Sequence, residues 1–157
     1  MTIAESFKVA VQRHQAGDLA GAEAIYRQIL GQHPSHPESL HGLGLIAHQG
    51  GRQEEAIGLI RQAINLQPMV PYYHLNLASA LTATGKLDEA VAELNRALGL
   101  QPNFPQALYN LGNALCDQGR WAAAEEAYRR ALVVRPEHSD THFNLAFVLE
   151  RLGDVAV

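Results

Sequence analysis

The chain has one cysteine in 157 residues, one tryptophan and two methionines, and aromatic residues make up only 6% of it. A single thiol, Cys116, excludes an internal disulfide, so any core must be held by packing alone. No stretch approaches the ~20 apolar residues that cross a bilayer. The N-terminal segment is interrupted by Glu5, Lys8, Gln12 and Arg13, which excludes the uninterrupted apolar run of a secretory signal. Charge is also sparse: Asp, Glu, Lys and Arg make up 18%, the formal net charge is −4, and Lys and Arg form no cluster that would neutralise phosphates. These absences argue against nucleic-acid and membrane partners. They leave a cytoplasmic protein with a core of alanine and leucine as the expectation.

What is present is periodic. Pro34, Pro68, Pro102 and Pro136 stand 34 residues apart, the length of a helix–turn–helix unit that buries its apolar face only by stacking on its neighbours. Aligned on these prolines, the repeats run 3–36, 37–70, 71–104 and 105–138, with a partial fifth over 139–157. Because a solenoid core is one continuous seam, a single domain, 1–157, is expected. The eighth column reads Ala10, Gly44, Ala78, Gly112 and Ala146, and the twentieth reads Ala22, Ala56, Ala90 and Ala124. The twenty-seventh is Ile29, Ala63, Ala97 and Ala131. Small residues there let helices approach closely. The larger knobs of the seventh column, Val9, Leu43, Leu77, Leu111 and Leu145, fill the space between them. Gly17, Gly51, Gly85, Gly119 and Gly153 form the fifteenth column, where a residue free to take positive φ ends one helix and turns into the next. Each proline then closes the second helix.

This pattern resembles the tetratricopeptide repeat family over essentially the whole chain, most clearly in Leu108, Leu111, Gly112, Gly119, Ala124, Tyr128, Ala131 and Pro136. The resemblance implies an all-α fold, a right-handed α-solenoid of antiparallel helix pairs, whose first helices line a concave groove. It implies a protein–protein interaction module that holds an extended peptide or a helix of a partner. Repeat one departs from the pattern, with Ser6 and Arg13 where the family prefers an aromatic or apolar residue, as suits a repeat with one face in water.

Column six, Lys8, Gly42, Asn76, Asn110 and Asn144, sets three asparagines one repeat apart. Such a ladder of amides either donates to and accepts from the main chain of a bound peptide, or satisfies local backbone groups. Column five, Phe7, His41, Leu75, Tyr109 and Phe143, and column nine, Val11, Leu45, Ser79, Asn113 and Phe147, supply an apolar and aromatic floor, unless they pack within the solenoid. Asn76, Asn110, Asn144, His41, Leu75, Tyr109, Phe143 and Asn113 are therefore the candidate peptide-binding residues. A subclass of the family grips acidic chaperone tails with lysine and asparagine from three successive repeats. Here His41, Leu45, Asn76, Gln106 and Asn110 stand in those places, and only the central asparagine fits.

No cofactor or metal is expected. Among eight histidines, His14 and His48 share column twelve with Cys116, and His33 and His36 flank a turn, but none has the spacing of a zinc motif. His74 and His142, in column four, fit better as helix-face residues donating to a carbonyl. Nor do the residues point to an enzyme. The glycines Gly42, Gly44, Gly50 and Gly51 lack the strand and the Gly-Lys-Ser/Thr of a phosphate loop, and Ser139, Asp140 and His142 read as a helix cap. The pairs Glu54–Glu55, Asp88–Glu89 and Glu125–Glu126 read as charge complementing helix dipoles.

Repeat five offers a first helix over 140–152 and only 154–157 of a second. Phe143, Leu145, Ala146, Phe147, Val148 and Leu149 make that first helix apolar almost all round. Either the natural chain continues, or another copy covers this face, giving a homo-oligomer. Two further readings stand beside the interaction module. One is the recruiting arm of a larger enzyme, since Tyr73–Leu77 and Leu108–Gly112 resemble the repeats of O-linked N-acetylglucosamine transferase-like proteins; the other is a self-assembling scaffold.

Overall fold

The computed structural model describes residues 1–155. Those residues form α-helices joined by short turns, with no strand among them. The helices are α1 (Ile3–Gln15), α2 (Leu19–Gln32), α3 (Pro37–Gln49), α4 (Gln53–Leu66), α5 (Pro71–Ala83), α6 (Leu87–Leu100), α7 (Pro105–Asp117), α8 (Trp121–Val134) and α9 (Ser139–Val155). This is the all-α array of helix pairs that the 34-residue period predicts.

Local chemistry sets the boundaries. Pro37, Pro71 and Pro105 open α3, α5 and α7, where a fixed φ suits the helix and the missing N–H is one that would have no helical partner. Gly17, Gly51, Gly85 and Gly119 take φ of 84°, 78°, 76° and 72°, and each ends a first helix. Gly153 does not follow its column. It lies inside α9, which runs on to Val155, so the turn expected there is absent. In repeats one, two and four the turn is followed by a second helix that packs back on the first. No such helix packs on α9 among the described residues, and the uninterrupted hydrogen-bond ladder is retained. The rest of the expected second segment, 156–157, lies outside the described residues.

The chain divides into two compact units, Met1–Ala80 and Leu81–Val157, with the boundary inside α5. In the first unit α1 packs on α2, α2 on α3 and α3 on α4. In the second α6 packs on α7, α7 on α8 and α8 on α9, with further contact between α7 and α9. The alanines of columns twenty and twenty-seven are buried throughout. Glycine is used where an aromatic or branched ring or chain takes the space of a methyl. A Cβ on Gly44 would lie 2.7 Å from Ile60, and one on Gly112 would lie 2.4 Å from the Tyr128 ring. Tyr26 is accommodated differently, under Gly42 of the next repeat, where a Cβ would lie 2.6 Å from its Cζ. Gly42 interrupts the column-six series because the tyrosine ring already fills that space. No helix among the described residues is long and apolar enough to cross a membrane.

Candidate peptide-binding surface

Columns five, six and nine lie on the first helices, and their side chains are mostly half-buried: packed on one edge, open on the other. In the first unit Leu75 is buried, while His41, Leu45, Asn76 and Ser79 are partly exposed. His41 stacks on Tyr73 with ring centroids 4.5 Å apart. Its Nε2 accepts from Asn76 Nδ2 at 2.8 Å, which fixes the unprotonated nitrogen on that side. Burial is the main reason that the His41 imidazole is pushed down to about 4, with the nearby His14 as a second cause. His41 is therefore a neutral acceptor at ordinary pH.

In the second unit the same columns form a polar chain. Tyr128, buried beneath Gly112, donates its O–H to Asn113 Oδ1 at 2.6 Å. Asn144 Nδ2 donates to the same oxygen at 3.0 Å and to Tyr109 Oη at 3.3 Å. Burial pushes the Tyr128 phenol up, so it stays a donor. The asparagine of column six thus bonds to column five of the preceding repeat wherever that residue is polar, His41 for Asn76 and Tyr109 for Asn144. The Asn110 amide makes no hydrogen bond among the described residues. On α9, Phe143 is 75% exposed and Phe147 is 42% exposed. Phe147 meets Trp121 edge-on at 6.1 Å, and the Arg151 guanidinium lies 5.2 Å above the Phe147 ring.

Histidine serves a role the sequence reading did not assign. His36 and His138 each precede a first helix, and each Nδ1 accepts the backbone N–H three residues on, from Ser39 at 3.2 Å and from Thr141 at 3.3 Å. The cap of α9 is therefore His138, not Ser139 or Asp140. A signal was available, since both histidines occupy column thirty-four and face a hydroxyl residue at column three. His74 and His142 take the carbonyls of Pro68 and Pro136 at 2.8 and 2.6 Å, as their column predicts. His14 and His48 do not bond to one another; His14 bonds Gln49 and His48 bonds Gln53. No group of three or more ligating side chains is assembled among the described residues.

The acidic pairs divide. Glu54, Glu55, Asp88 and Glu89 sit in first turns, but Glu125 and Glu126 lie beyond the first turn of α8, and Glu125 pairs instead with Arg129 at 2.6 Å. In the first unit, Arg27 and Arg52 each bridge Glu23 and Glu55, at 2.8–3.2 Å, across α2 and α4. Arg27 is the main reason that the Glu23 carboxyl is held below its usual range. These pairs belong to second helices; the first-helix surface presents amides and rings.

Paired helices repeated every 34 residues, with glycine turns and small-residue seams, define an α-solenoid repeat protein. Within that class the chain belongs to the tetratricopeptide repeat family, whose pattern matches residues 14–72, 59–107, 75–133 and 109–157. Among solved structures, MamA is 23% identical, with 96% of this chain and 82% of that chain covered at a TM-score of 0.87. YrrB, described as a repeat protein of this family with an unusual peptide-binding site, is 20% identical, with coverage of 94% and 76% and a TM-score of 0.82. The first such domain of Spaghetti (RPAP3), bound to the HSP90 peptide SRMEEVD, is 23% identical, with coverage of 74% and 93% and a TM-score of 0.73. At these identities the likeness is one of fold. No match is found among curated protein sequences.

Proposed function

We propose that this chain is a protein-interaction module whose first-helix surface holds an extended segment of a partner protein. The observation that carries the reading is that amides and rings of the first helices stay half-exposed within each unit, while the alanines of columns twenty and twenty-seven are buried. Asn110 keeps its whole amide for a partner. Asn76 and Asn144 keep Oδ1 after giving Nδ2 to the preceding repeat. Each is then an acceptor for a main-chain N–H, which reads backbone and tolerates many sequences. His41, Leu75, Tyr109, Phe143 and Asn113 complete the surface, with Phe143 the most open anchor for a partner side chain. Peptide binding by the fold-mates YrrB and RPAP3 supports this reading. The lysine-based grip on chaperone tails has no counterpart here.

The test is a phage-displayed peptide library selected against the whole chain, followed by fluorescence anisotropy of one selected peptide. Asn110→Ala and Phe143→Ala are expected to weaken binding about tenfold, while Gln62→Ala, on the outer face of α4, leaves it unchanged. A peptide insensitive to both first-helix substitutions would refute the assignment.

The exposed Phe143, Phe147 and Leu149 on α9 favour a second reading, self-association through that helix. Attachment to a glycosyltransferase-like domain rests on the resemblance of residues 73–77 and 108–112. It requires an endogenous polypeptide much heavier than these 157 residues, which an intact-mass measurement reads directly.

A further inference from the structure

In the second unit, a cavity of about 50 Å³ opens where α7, the end of α8 and the start of α9 meet, lined by Gln106, Tyr109, Arg135, His138 and Thr141 among others. It exceeds the ~10–15 Å³ that a single water needs. It is far below the ~300 Å³ at which small-molecule pockets begin, so it suits one functional group at the end of a longer ligand. Thr141, a small residue, borders this space. At the corresponding place in the first unit stands Tyr73, which fills its niche and donates to Gln67 Oε1 at 3.4 Å.

The lining holds several donors beside the amide and hydroxyl oxygens of Gln106 and Thr141, and no carboxylate. Thr141 N–H can only donate to His138 Nδ1, so the ring proton sits on Nε2. The Tyr109 oxygen accepts from Asn144, leaving its own O–H to donate. Arg135 has no ion pair among the described residues. Gln106 adds an amide. Glu137 and Asp140, close in sequence, do not line the cavity.

The chain supplies its own precedent for what completes such a site. His36 caps α3 as His138 caps α9, and its Nε2 lies 3.6 Å from the carboxylate of Glu38. The residue in the place of Glu38 beside His138 is Asp140, one methylene shorter and not paired with the ring. We propose that this cavity is a site for a single side-chain carboxylate, a glutamate of a bound partner taking the part that Glu38 plays at the first junction. Arg135 supplies a charge-assisted bond, His138 Nε2–H and the Tyr109 hydroxyl supply neutral ones, and the site favours an acidic residue at one position of the partner. That last step rests on the interaction-module reading. The carboxylate preference does not, and small probes test it alone.

The experiment is a titration of the whole isotope-labelled chain, followed through its assigned backbone amides, with N-acetylglutamate α-amide. Saturable shifts confined to residues around 106, 135, 138 and 141 are expected, weakened about tenfold by Arg135→Gln, an exposed position whose loss leaves the fold intact. His138→Asn keeps a helix-capping acceptor, removes the Nε2–H, and is expected to weaken the probe as well. Equal shifts with N-acetylglutamine α-amide, or no effect of Arg135→Gln, would overturn the carboxylate assignment. Tighter binding of N-acetylglycine would overturn the side-chain assignment in favour of a main-chain terminus, and tighter binding of inorganic phosphate would overturn both. Binding of the probe in a chain that selects no peptides would keep the site and discard the module.

Discussion

Replacing Gly112 by alanine is expected to destabilise the protein although alanine is the better helix former. The added Cβ would lie 2.4, 2.6 and 2.8 Å from Cε1, Cδ1 and Cζ of Tyr128, against the ~3.5–4.0 Å at which carbon atoms pack. The ring cannot simply swing away. It is 1% exposed, its hydroxyl is bonded to Asn113 at 2.6 Å, and Tyr109 lies 6.2 Å from it, centroid to centroid. Overpacking of this kind costs ~1–3 kcal/mol, while the Gly-to-Ala change in a helix interior returns up to ~1 kcal/mol. With the ring pinned, the net expectation is a loss of about 1–2 kcal/mol, or a fall in melting temperature of about 2–8 °C for a chain of this size. Gly58 is the matched control, because it also lies inside a helix and a Cβ there meets nothing within 4 Å. Gly58→Ala is expected to stabilise by ~0.5–1 kcal/mol. Urea and thermal midpoints of the two variants, read by far-ultraviolet circular dichroism, should move in opposite directions. Midpoints are compared directly because repeat arrays unfold unit by unit. If Gly112→Ala raises the midpoint as Gly58→Ala does, the packing argument for the eighth column is wrong.

His41 makes stability depend on pH. Its folded value, about 4, lies below its value of 6.5 in water, so the unfolded chain takes up the proton first. The contribution is present above about pH 6.5 and is lost as pH falls towards 4; a shift of that size is worth at most about 3 kcal/mol. The urea midpoint should fall between pH 7 and 4.5, and His41→Gln, which keeps an acceptor for Asn76 but does not titrate, should flatten the fall; parallel profiles would exclude His41 as the cause. Self-association through α9 predicts a sedimentation coefficient that rises with concentration and no longer does so in Phe143→Asp, whereas a concentration-independent monomer would dismiss it.

Repeat length, helix order, and the proline and glycine stops were legible in the sequence because they depend on backbone chemistry at single positions. A proline lacks an N–H wherever it stands, and the positive φ at Gly17, Gly51, Gly85 and Gly119 needs no knowledge of neighbours. The alanine seams were legible for a related reason, since small residues return to the same columns in successive repeats. The hydrogen bonds of His74 and His142 to a proline carbonyl six residues back were legible because they are local.

The candidate surface was legible only as a list of columns. Whether an asparagine of column six commits its amide depends on a residue 35 positions earlier, in a helix that only folding brings alongside: His41 engages Asn76 and Tyr109 engages Asn144. The same holds for the two tyrosines of column twenty-four. Their identity is written in the sequence, but packing decided that Tyr26 leans under Gly42 of the next repeat and Tyr128 under Gly112 of its own. Gly153 shows the limit from the other side, because a glycine permits a turn without requiring one, and only a helix packing back on α9 would stabilise it. The sequence by itself determined the repeat and its stops, since these follow from covalent geometry. Tertiary structure alone decided which polar groups are left open for a partner, since that is settled by which side chains packing brings within hydrogen-bond distance.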